Sequence, residues 1–255
     1  MLSKNQIKLV KSLELKKKRK AEGLFVAEGP KVVGDLLRAG FTPHSIFATE
    51  SCQREDFKSA ITVTDEELRK LSFLQHPQGV LGVFQIPAPL IPQTSAIKHQ
   101  TSSIIHQPSS LALALDGVQD PGNMGTIIRI ADWFGIDTIF CSPDTADIYN
   151  PKVVQATMGS IAHVHVFYCD LVELLAHADC PVYGTLLDGQ DIYRQELSSE
   201  GIIVMGNEGN GISEAVRPLI THRLLIPNFN PQAATAESLN VAIATAITCS
   251  EFRRR

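Results

Sequence analysis

The chain has 255 residues, 44% of them hydrophobic, so it is long enough for one large or two ordinary globular domains. Its formal net charge of −4 gives no overall sign of a nucleic-acid partner. No apolar run approaches the roughly 18 residues of a membrane span, and the charged N-terminus lacks the apolar core of a signal peptide.

The first twenty residues are strongly basic. They hold eight basic residues against a single acidic one, Glu14, while the remainder of the chain is acidic. Such asymmetry between parts of a chain indicates a polyanionic partner for the basic part. The alternative interpretation is the solvated face of a soluble helix.

The N-terminal part alternates predicted helices with strands. Residues 3–21 favour a helix, because Ser3 can cap it with Gln6 three residues on. Pro30 at a first helical position and the capping box that starts at Thr64 indicate two more. We predict helices over 3–21, 30–37 and 65–72, and strands over 24–27, 45–49, 61–63 and 80–86.

Residues 87–110 have the composition of a linker. Four prolines stand there among Ser, Thr, Gln and His. We place the boundary near residue 100, which predicts one domain over 1–100, a linker to about 110, and a second domain over 104–255.

From Leu111 onward the alternation of strands and helices is stronger, which predicts an α/β fold with a mostly parallel sheet and helices on both faces. The last helix, 238–252, is apolar on most sides, so it is buried in a core or against another subunit. The other predicted helices run from Asn123 to Phe134 and from Asn150-Pro151. Strands are predicted over 111–115, 138–141, 164–168, 182–187, 202–205 and 224–226.

The cysteine pattern indicates neither disulfides nor a metal centre. The five cysteines lie far apart and form no C-x-x-C pair. An odd number without metal-ligand spacing predicts reduced, mostly buried thiols in a cytoplasmic protein without metal.

The first stretch with chemical character is Leu115–Arg129, where a strand ends in a Gly/Pro loop before a helix. Asn123 can be interpreted there as a helix cap. Arg129 lies on an apolar helix between Ile128 and Ile130, and a guanidinium in such a place is typical of phosphate or carboxylate recognition. A plain surface charge is the alternative.

The second stretch joins a predicted strand, Ile202–Met205, to a loop with three glycines, Gly206–Gly211. Ser213 then indicates the cap of a following helix. Sheets of α/β proteins hold ligands outside the carboxyl ends of their strands. The spacing G-x-x-G-x-G matches no common nucleotide fingerprint, and Glu208 would repel a phosphate, so a neutral or cationic ligand is favoured. A tight solvent turn is the alternative.

The third stretch is Ile226-Pro227 followed at a distance by Glu237–Ala242. Taken alone, Glu237–Ala242 predicts the start of a helix capped by Ser238.

The three stretches together resemble a known family. The order D-x-x-x-x-P-G-N-x-G-x-x-x-R, M-G-N-E-G-x-G-I-S and I-P…S-L-N-V resembles the SpoU (TrmH-like) family of RNA ribose 2′-O-methyltransferases, within the SPOUT superfamily. This match covers about 111–255. The N-terminal part is similar to the family's small, ribosomal-protein-like domain.

The resemblance implies a catalytic domain over 104–255 with a trefoil knot that binds S-adenosyl-L-methionine. It also implies an RNA substrate, rRNA or tRNA, bound with the help of residues 1–100, and a homodimer with its site near the subunit interface. Catalytic positions fall on Asn123, Arg129, Glu208, Ser238 and Asn240. Cofactor-binding positions fall on Thr185, Leu186, Gly206, Asn207, Gly211, Ile226 and Leu239.

The implied reaction moves a methyl group from a sulfonium cation to a ribose 2′-hydroxyl, for which in-line positioning matters most. A guanidinium is effectively always protonated, so we expect Arg129 to grip a phosphate and orient the hydroxyl rather than remove its proton. Glu208 would complement the cationic ligand, and Ser238 and Asn240 would orient it.

One departure from the family concerns residues 228–237, a link that is longer than usual and lacks glycine. Cofactor contacts from this link therefore stay open. Two other functions also stay open. An NAD-dependent oxidoreductase is disfavoured by the missing G-x-G-x-x-G, and an RNA-binding protein with a decayed methyltransferase site is favoured only by the altered link.

Overall fold

The structure is a computed structural model that describes residues 2–52, 55–88, 110–230 and 238–254. It divides into two compact units, Met1–Ala88 with Asp147–His163 and Pro89–Ala146 with Val164–Arg255. Residues 147–163, which the predicted boundary puts in the second domain, cluster with the first unit. The functional roles of the two predicted domains stay predictions.

The secondary structure follows the predicted alternation. The elements of the first part are α1 Lys4–Ser12, α2 Lys16–Glu22, β1 Leu24–Glu28, α3 Pro30–Arg38, β2 Pro43–Ala48, β3 Ile61–Thr62, α4 Asp65–Leu71 and β4 Val80–Gln85. Those of the second part are β5 Leu111–Leu115, α5 Pro121–Trp133, β6 Thr138–Cys141, α6 Pro151–Ala156, β7 His165–Tyr168, α7 Leu171–Ala176, β8 Val182–Asp191, β9 Gly201–Met205, β10 His222–Leu225 and α8 Val241–Arg254. Every predicted strand is confirmed, with ends that differ by at most four residues.

The single helix predicted over 3–21 is wrong. The capping box between Ser3 and Gln6 is present, but α1 ends at Ser12 and a separate α2 follows. Arg19 explains the break, because its Nη1 donates to the carbonyl oxygens of Leu13 and Glu14 at 2.8 and 2.7 Å. In a continuous helix those carbonyls would accept from backbone N–H groups of the next turn.

The helix predicted after the glycine loop is also wrong. Ser213 begins a turn and a short 3₁₀ helix, Arg217–Leu219, rather than an α-helix. Pro218 has no N–H to donate to a helical ladder, which limits the segment to 3₁₀ geometry. Conversely, α7 was missed, although Asp170 caps it and leucines follow at helical spacing.

The first unit is built on a four-stranded sheet in the order β1-β4-β2-β3. β4 runs antiparallel to both neighbours, and β3 runs parallel to β2. Val10 and Leu13 from the α1 end pack with Leu68 and Leu71 of α4 against one face of this sheet.

Residues 147–163 complete the first unit. α6 packs against β1, and the ring centroids of Tyr149 and Phe25 lie 4.8 Å apart. Arg19 is only 2% exposed, and its Nη2 lies 2.6 Å from Asp147 Oδ2. A buried guanidinium requires such a partner, so Arg19 is a structural residue and does not belong to the exposed basic run.

The second unit contains a six-stranded sheet in the order β10-β8-β9-β5-β6-β7, and all its neighbours are parallel. Leu171 and Leu175 of α7, with Ile212 and Val216, pack on one face. On the other face α8 packs on α5, and Phe252 of α8 meets Tyr183 of β8 edge to face. The predicted parallel sheet with helices on both faces is confirmed, and the knot stays a prediction.

Within the described residues, no helix combines the length and apolar character that crossing a membrane demands. No group of three or more His, Cys, Asp or Glu side chains there is arranged to hold a metal ion. All five cysteines are free thiols, with Cys141 and Cys249 buried. Burial raises the pKa of Cys249 to about 12, which keeps this thiol protonated.

Candidate active site

The loops that carry the three motifs all follow the carboxyl ends of strands in the sheet of the second unit. β5, β8, β9 and β10 are parallel neighbours, so their carboxyl ends meet there. Pairing continues to the strand ends, where the Asp116 N–H donates to the Met205 carbonyl oxygen at 2.9 Å. The sheet therefore sets the first motif, Asp116–Arg129, beside the second.

The glycine loop closes on itself through Asn207. The backbone groups of Asn207 and Gly211 exchange two hydrogen bonds of 2.9 Å, and Gly211 adopts a φ of 70° that favours glycine. Asn207 Oδ1 accepts from the N–H groups of Gly209 and Asn210, at 2.8 and 3.1 Å. Its Nδ2 donates to the Gly117 carbonyl oxygen at 2.7 Å, which ties the second motif to the first.

Gly206 has no room for a side chain. A Cβ there would lie 2.5 Å from the Gly211 carbonyl oxygen, and closer still to the Gly211 carbonyl carbon and the Ile212 nitrogen. The loop's own backbone thus occupies the space that a side chain would need. Glycine is required at 206 for loop closure, whether or not a ligand is bound.

A chain of hydrogen bonds joins all three motifs. Asn240 Nδ2 donates to Asn123 Oδ1 at 2.9 Å, and Asn123 Nδ2 donates to Glu208 Oε1 at 2.8 Å. Asn240 is itself oriented, because its Oδ1 accepts from the N–H groups of Ala242 and Ile243 at the start of α8. Every donor in the chain therefore points toward the Glu208 carboxylate.

This arrangement corrects two cap assignments. Asp120, not Asn123, caps α5, since Asp120 Oδ1 accepts from the Asn123 N–H at 2.8 Å. Asn240, not Ser238, caps α8, which begins at Val241. The side chain of Asn123 is thereby free to link the motifs.

Arg129 lies apart from this hydrogen-bond chain. It is exposed on α5, six residues after Asn123, or roughly 9 Å along the helix axis. Among the described residues it has no ion-pair or hydrogen-bond partner. Ser238 and Leu239 are also exposed, and Ile226 is partly buried after β10.

The predicted cofactor residues of β8 lie where its pairing is irregular. β10 pairs with Tyr183 and Gly184 and then with Gln190 and Asp191, so residues 185–189 leave the ladder. Thr185 Oγ1 lies 3.6 Å from Met205 Sδ, which sets this excursion beside the end of β9. Leu186 is buried within it.

Asp188 anchors the segment 185–189 through its side chain. Its Oδ2 accepts from Arg217 Nη2 at 2.5 Å and from Arg223 Nη1 at 3.3 Å. The hydrogen bond from Arg217 holds the pKa of Asp188 below its usual range, so this carboxylate is charged near neutral pH.

Sequence reasoning missed two supporting residues. Asp116 Oδ2 accepts from the Ser213 N–H at 2.7 Å, and Ser142 Oγ accepts from the Gly117 N–H at 2.8 Å. Both are polar residues that directly follow a strand of the parallel sheet. That position, next to the predicted ligand edge, is the signal that could have found them.

The sequence profile of the SpoU rRNA Methylase family matches residues 110–250, and that of the MRM3-like substrate binding domain matches residues 4–82. The chain belongs to the SpoU rRNA methylase family. All three motif loops joined by the hydrogen-bond chain lie within the first match.

Individual SpoU relatives match along almost the whole chain. The 23S rRNA (guanosine-2′-O)-methyltransferase RlmP of Bacillus subtilis is 30% identical over 98% of this chain and 97% of its own. A Porphyromonas gingivalis structure assigned to the TrmH family of RNA methyltransferases is 40% identical, with a TM-score of 0.83 over 100% of this chain and 99% of its own. An AdoMet-bound rRNA methyltransferase from Sinorhizobium meliloti is 30% identical, with a TM-score of 0.84 over 100% and 96%. The resemblance noted from the motifs is confirmed.

We expect Gly206→Ala to weaken S-adenosylmethionine binding by about tenfold or more, because overpacking of about 1–3 kcal/mol would open the closed loop. Calorimetric titration with the cofactor measures this. Gly209→Ala is the matched control, since its Cβ would meet only Asn207 Oδ1 at an ordinary 3.5 Å. Equal affinities for the two variants would contradict the assigned role of Gly206.

Proposed function

We propose that this chain transfers the methyl group of S-adenosyl-L-methionine to a ribose 2′-hydroxyl of ribosomal RNA. The observation that carries the proposal is the hydrogen-bond chain from Asn240 through Asn123 to Glu208, which unites the three SpoU motifs. These intact hydrogen bonds also disfavour an RNA-binding protein whose methyltransferase site has decayed. Residues 231–237 of the altered link, 228–237, lie outside the described residues.

Ribosomal RNA is preferred to transfer RNA as the substrate. RlmP, whose name assigns it to 23S rRNA, matches over nearly the full length of both chains, so both parts of the sequence support the same substrate class. We further propose a cytoplasmic location, consistent with free cysteines and an rRNA substrate.

The residues at the carboxyl edge of the sheet fit the cofactor. Ile226 and Leu239 offer apolar surface, and Leu186 is a buried apolar residue of the segment 185–189. Glu208 is a carboxylate held in place by Asn123. When bound, the cofactor supplies a methyl group on a sulfonium cation. A fixed carboxylate complements that cation without itself taking part in bond making.

The reaction forms a bond from the methyl carbon to the ribose 2′-oxygen and breaks the carbon–sulfur bond. Arg129, exposed and without a described partner, is suited to hold an RNA phosphate and orient the hydroxyl. The hydroxyl proton leaves to solvent or to a phosphate oxygen. Asn123 and Asn240 act by positioning Glu208.

We also propose a homodimer formed through α5 and α8. These helices pack together and leave Trp133 of α5 85% exposed and Ile243 of α8 53% exposed, and Leu239, just before α8, is 50% exposed. Large exposed apolar side chains along two adjoining helices indicate a protein contact. A second copy of the chain fits, because the family resemblance implies a site near a subunit interface.

The dimer proposal predicts that Ile243→Glu converts a dimer into a monomer. A charge in the centre of an apolar contact would remain buried without a partner. Light scattering at micromolar concentration measures the mass, and Val172→Glu on α7, which covers the opposite face, is the control. A monomeric wild-type protein would contradict the proposal.

The methylation function is tested by mapping 2′-O-methylated nucleotides in cellular RNA with and without the gene. The proposal expects one or a few rRNA ribose positions to lose the modification. A change confined to tRNA would correct the substrate, and unchanged RNA would overturn the activity.

A further inference from the structure

Segment 142–146 follows β6 and wraps around the start of the first motif. β6 is the parallel neighbour of β5, so the two strands end side by side. The Ser142 N–H donates to the Leu115 carbonyl oxygen at 3.0 Å, and the Ala146 N–H donates to the Val118 carbonyl oxygen at 2.9 Å. The segment therefore fixes the backbone where the first motif begins.

The Ser142 side chain adds a buried contact to these backbone bonds. Its Oγ accepts from the Gly117 N–H at 2.8 Å and donates to Asp144 Oδ1 at 2.6 Å. Because a carboxylate only accepts, the Ser142 proton points toward Asp144 and a lone pair of the hydroxyl faces Gly117. Ser142 is only 7% exposed, and a buried N–H that loses its acceptor keeps its desolvation cost.

Gly117 connects this contact to the glycine loop. Its N–H is held by Ser142, while its carbonyl oxygen accepts from Asn207 Nδ2 at 2.7 Å. Asn207 in turn shapes the turn around Glu208, because its Oδ1 accepts from the Gly209 N–H at 2.8 Å. A path of hydrogen bonds thus runs from Ser142 to the loop that carries Glu208.

The close approach at Gly117 supports the same path. Gly117 adopts a φ of 71°, which favours glycine, and a Cβ there would lie 3.1 Å from Asp144 Oδ2 and 3.7 Å from Asn207 Cβ. Segment 142–146 and the glycine loop therefore meet at one residue of the first motif. A shift of the Gly117 backbone at its N–H would move the carbonyl oxygen that Asn207 binds.

We propose that Ser142 is a positioning residue for methyl transfer. It acts through Gly117 and Asn207 to hold the glycine loop, with Glu208, in the arrangement that binds the cofactor. Asp144 orients the Ser142 hydroxyl for this task. The inference rests on the proposed function and adds the end of β6 to the site, because neither Ser142 nor Asp144 belongs to the three motifs.

Ser142→Ala tests this path. We expect its affinity for S-adenosylmethionine to fall on the order of tenfold, because the loop then spends less time in its binding-competent arrangement. Calorimetric titration with the cofactor measures the affinity. Thr138→Val is the matched control, since Thr138 carries a buried hydroxyl at the other end of β6 and its Oγ1 donates to Asp137 Oδ1. This control should bind the cofactor as the wild type does.

Two further measurements separate positioning from a local structural role. In Ser142→Ala the backbone amides of residues 206–211 should exchange hydrogen faster, although the hydrogen bonds of Ser142 lie outside that loop. The affinity losses of Ser142→Ala and Asn207→Ala should not add in the double variant, because both act through Gly117. Faster exchange confined to residues 115–118 and 138–146, or additive losses, would overturn the inference.

Asp144→Ala keeps the inference testable if Ser142→Ala does not fold. Asp144 is exposed, so its removal spares the core, and the cofactor affinity should fall by a smaller factor of about two- to fivefold. The KM for rRNA should stay at the wild-type value in both variants, because the path leads to the cofactor loop.

Cofactor binding and methyl transfer together distinguish this inference from the proposed function. Methyl transfer by the wild type, with unchanged cofactor affinity in Ser142→Ala, would overturn the inference alone. Unchanged affinity in Asp144→Ala would do the same where Ser142→Ala is unfolded. Weakened cofactor binding that is coupled to Asn207, with no methyl transfer by the wild type, would overturn the proposed activity alone.

Discussion

Arg129→Ala should reduce methyl transfer to rRNA by about 10²–10³ while leaving S-adenosylmethionine binding unchanged. Loss of one preorganised electrostatic contact to the reacting group typically has an effect of that size. Arg129 lies outside the hydrogen-bond chain, so removing its side chain breaks no ion pair or side-chain hydrogen bond among the described residues. Single-turnover transfer of labelled methyl measures the first quantity, and calorimetry measures the second.

Two further variants make the Arg129 prediction specific. Arg129→Lys should recover little activity, because a point charge cannot reproduce the two-pronged guanidinium contact with a phosphate. Arg194→Ala removes an 84%-exposed arginine of the same unit that pairs with Asp191, and this variant should transfer at the wild-type rate. Near-normal transfer by Arg129→Ala would return the catalytic role to Glu208 and Ser238.

Asp147→Ala should lower the free energy of unfolding by about 3–5 kcal/mol, because it leaves the buried Arg19 guanidinium without its carboxylate. The two carbonyl oxygens that Arg19 also contacts are dipoles and do not neutralise a buried charge. Urea denaturation followed by circular dichroism measures the loss.

The exposed Glu55–Lys58 pair of the same unit is the control for the buried Arg19–Asp147 pair. Glu55→Ala breaks a pair whose partners are 84% and 73% exposed, and should change stability by no more than about 1 kcal/mol. Adding Arg19→Met to Asp147→Ala should restore much of the lost stability, since the unpaired charge is removed. A similar small loss for Asp147→Ala and Glu55→Ala would contradict the structural role of Arg19.

The fold could be predicted from sequence where local signals and tertiary context agree. Apolar runs such as Leu111–Leu115 and Ile202–Met205 are strands because a parallel sheet with both faces covered buries every residue. The break between α1 and α2 could not be predicted, because it depends on Arg19 reaching carbonyls of the preceding turn. Its partner Asp147 lies 128 residues away, beyond any local pattern.

From the sequence, the order of the three motifs predicts the candidate site, whereas no single residue does. The sequence alone predicts Asn123 as a helix cap and Ser238 as the cap of the last helix. Only the fold brings Asn123 between Asn240 and Glu208. The family resemblance implies a cofactor contact as the reason for the glycine at 206. The structure supplies a different one, the backbone of Gly211 and Ile212, which no sequence pattern reveals.

The central claim is methyl transfer to a ribose 2′-hydroxyl at a site built from the three SpoU motifs. The most direct measurement incubates the purified protein with methyl-labelled S-adenosylmethionine and rRNA from cells that lack the gene, then analyses nucleosides by mass spectrometry. The account predicts label in a 2′-O-methyl nucleoside at a position resistant to alkaline cleavage. Label on a base, or no transfer by a protein that binds the cofactor, would contradict it.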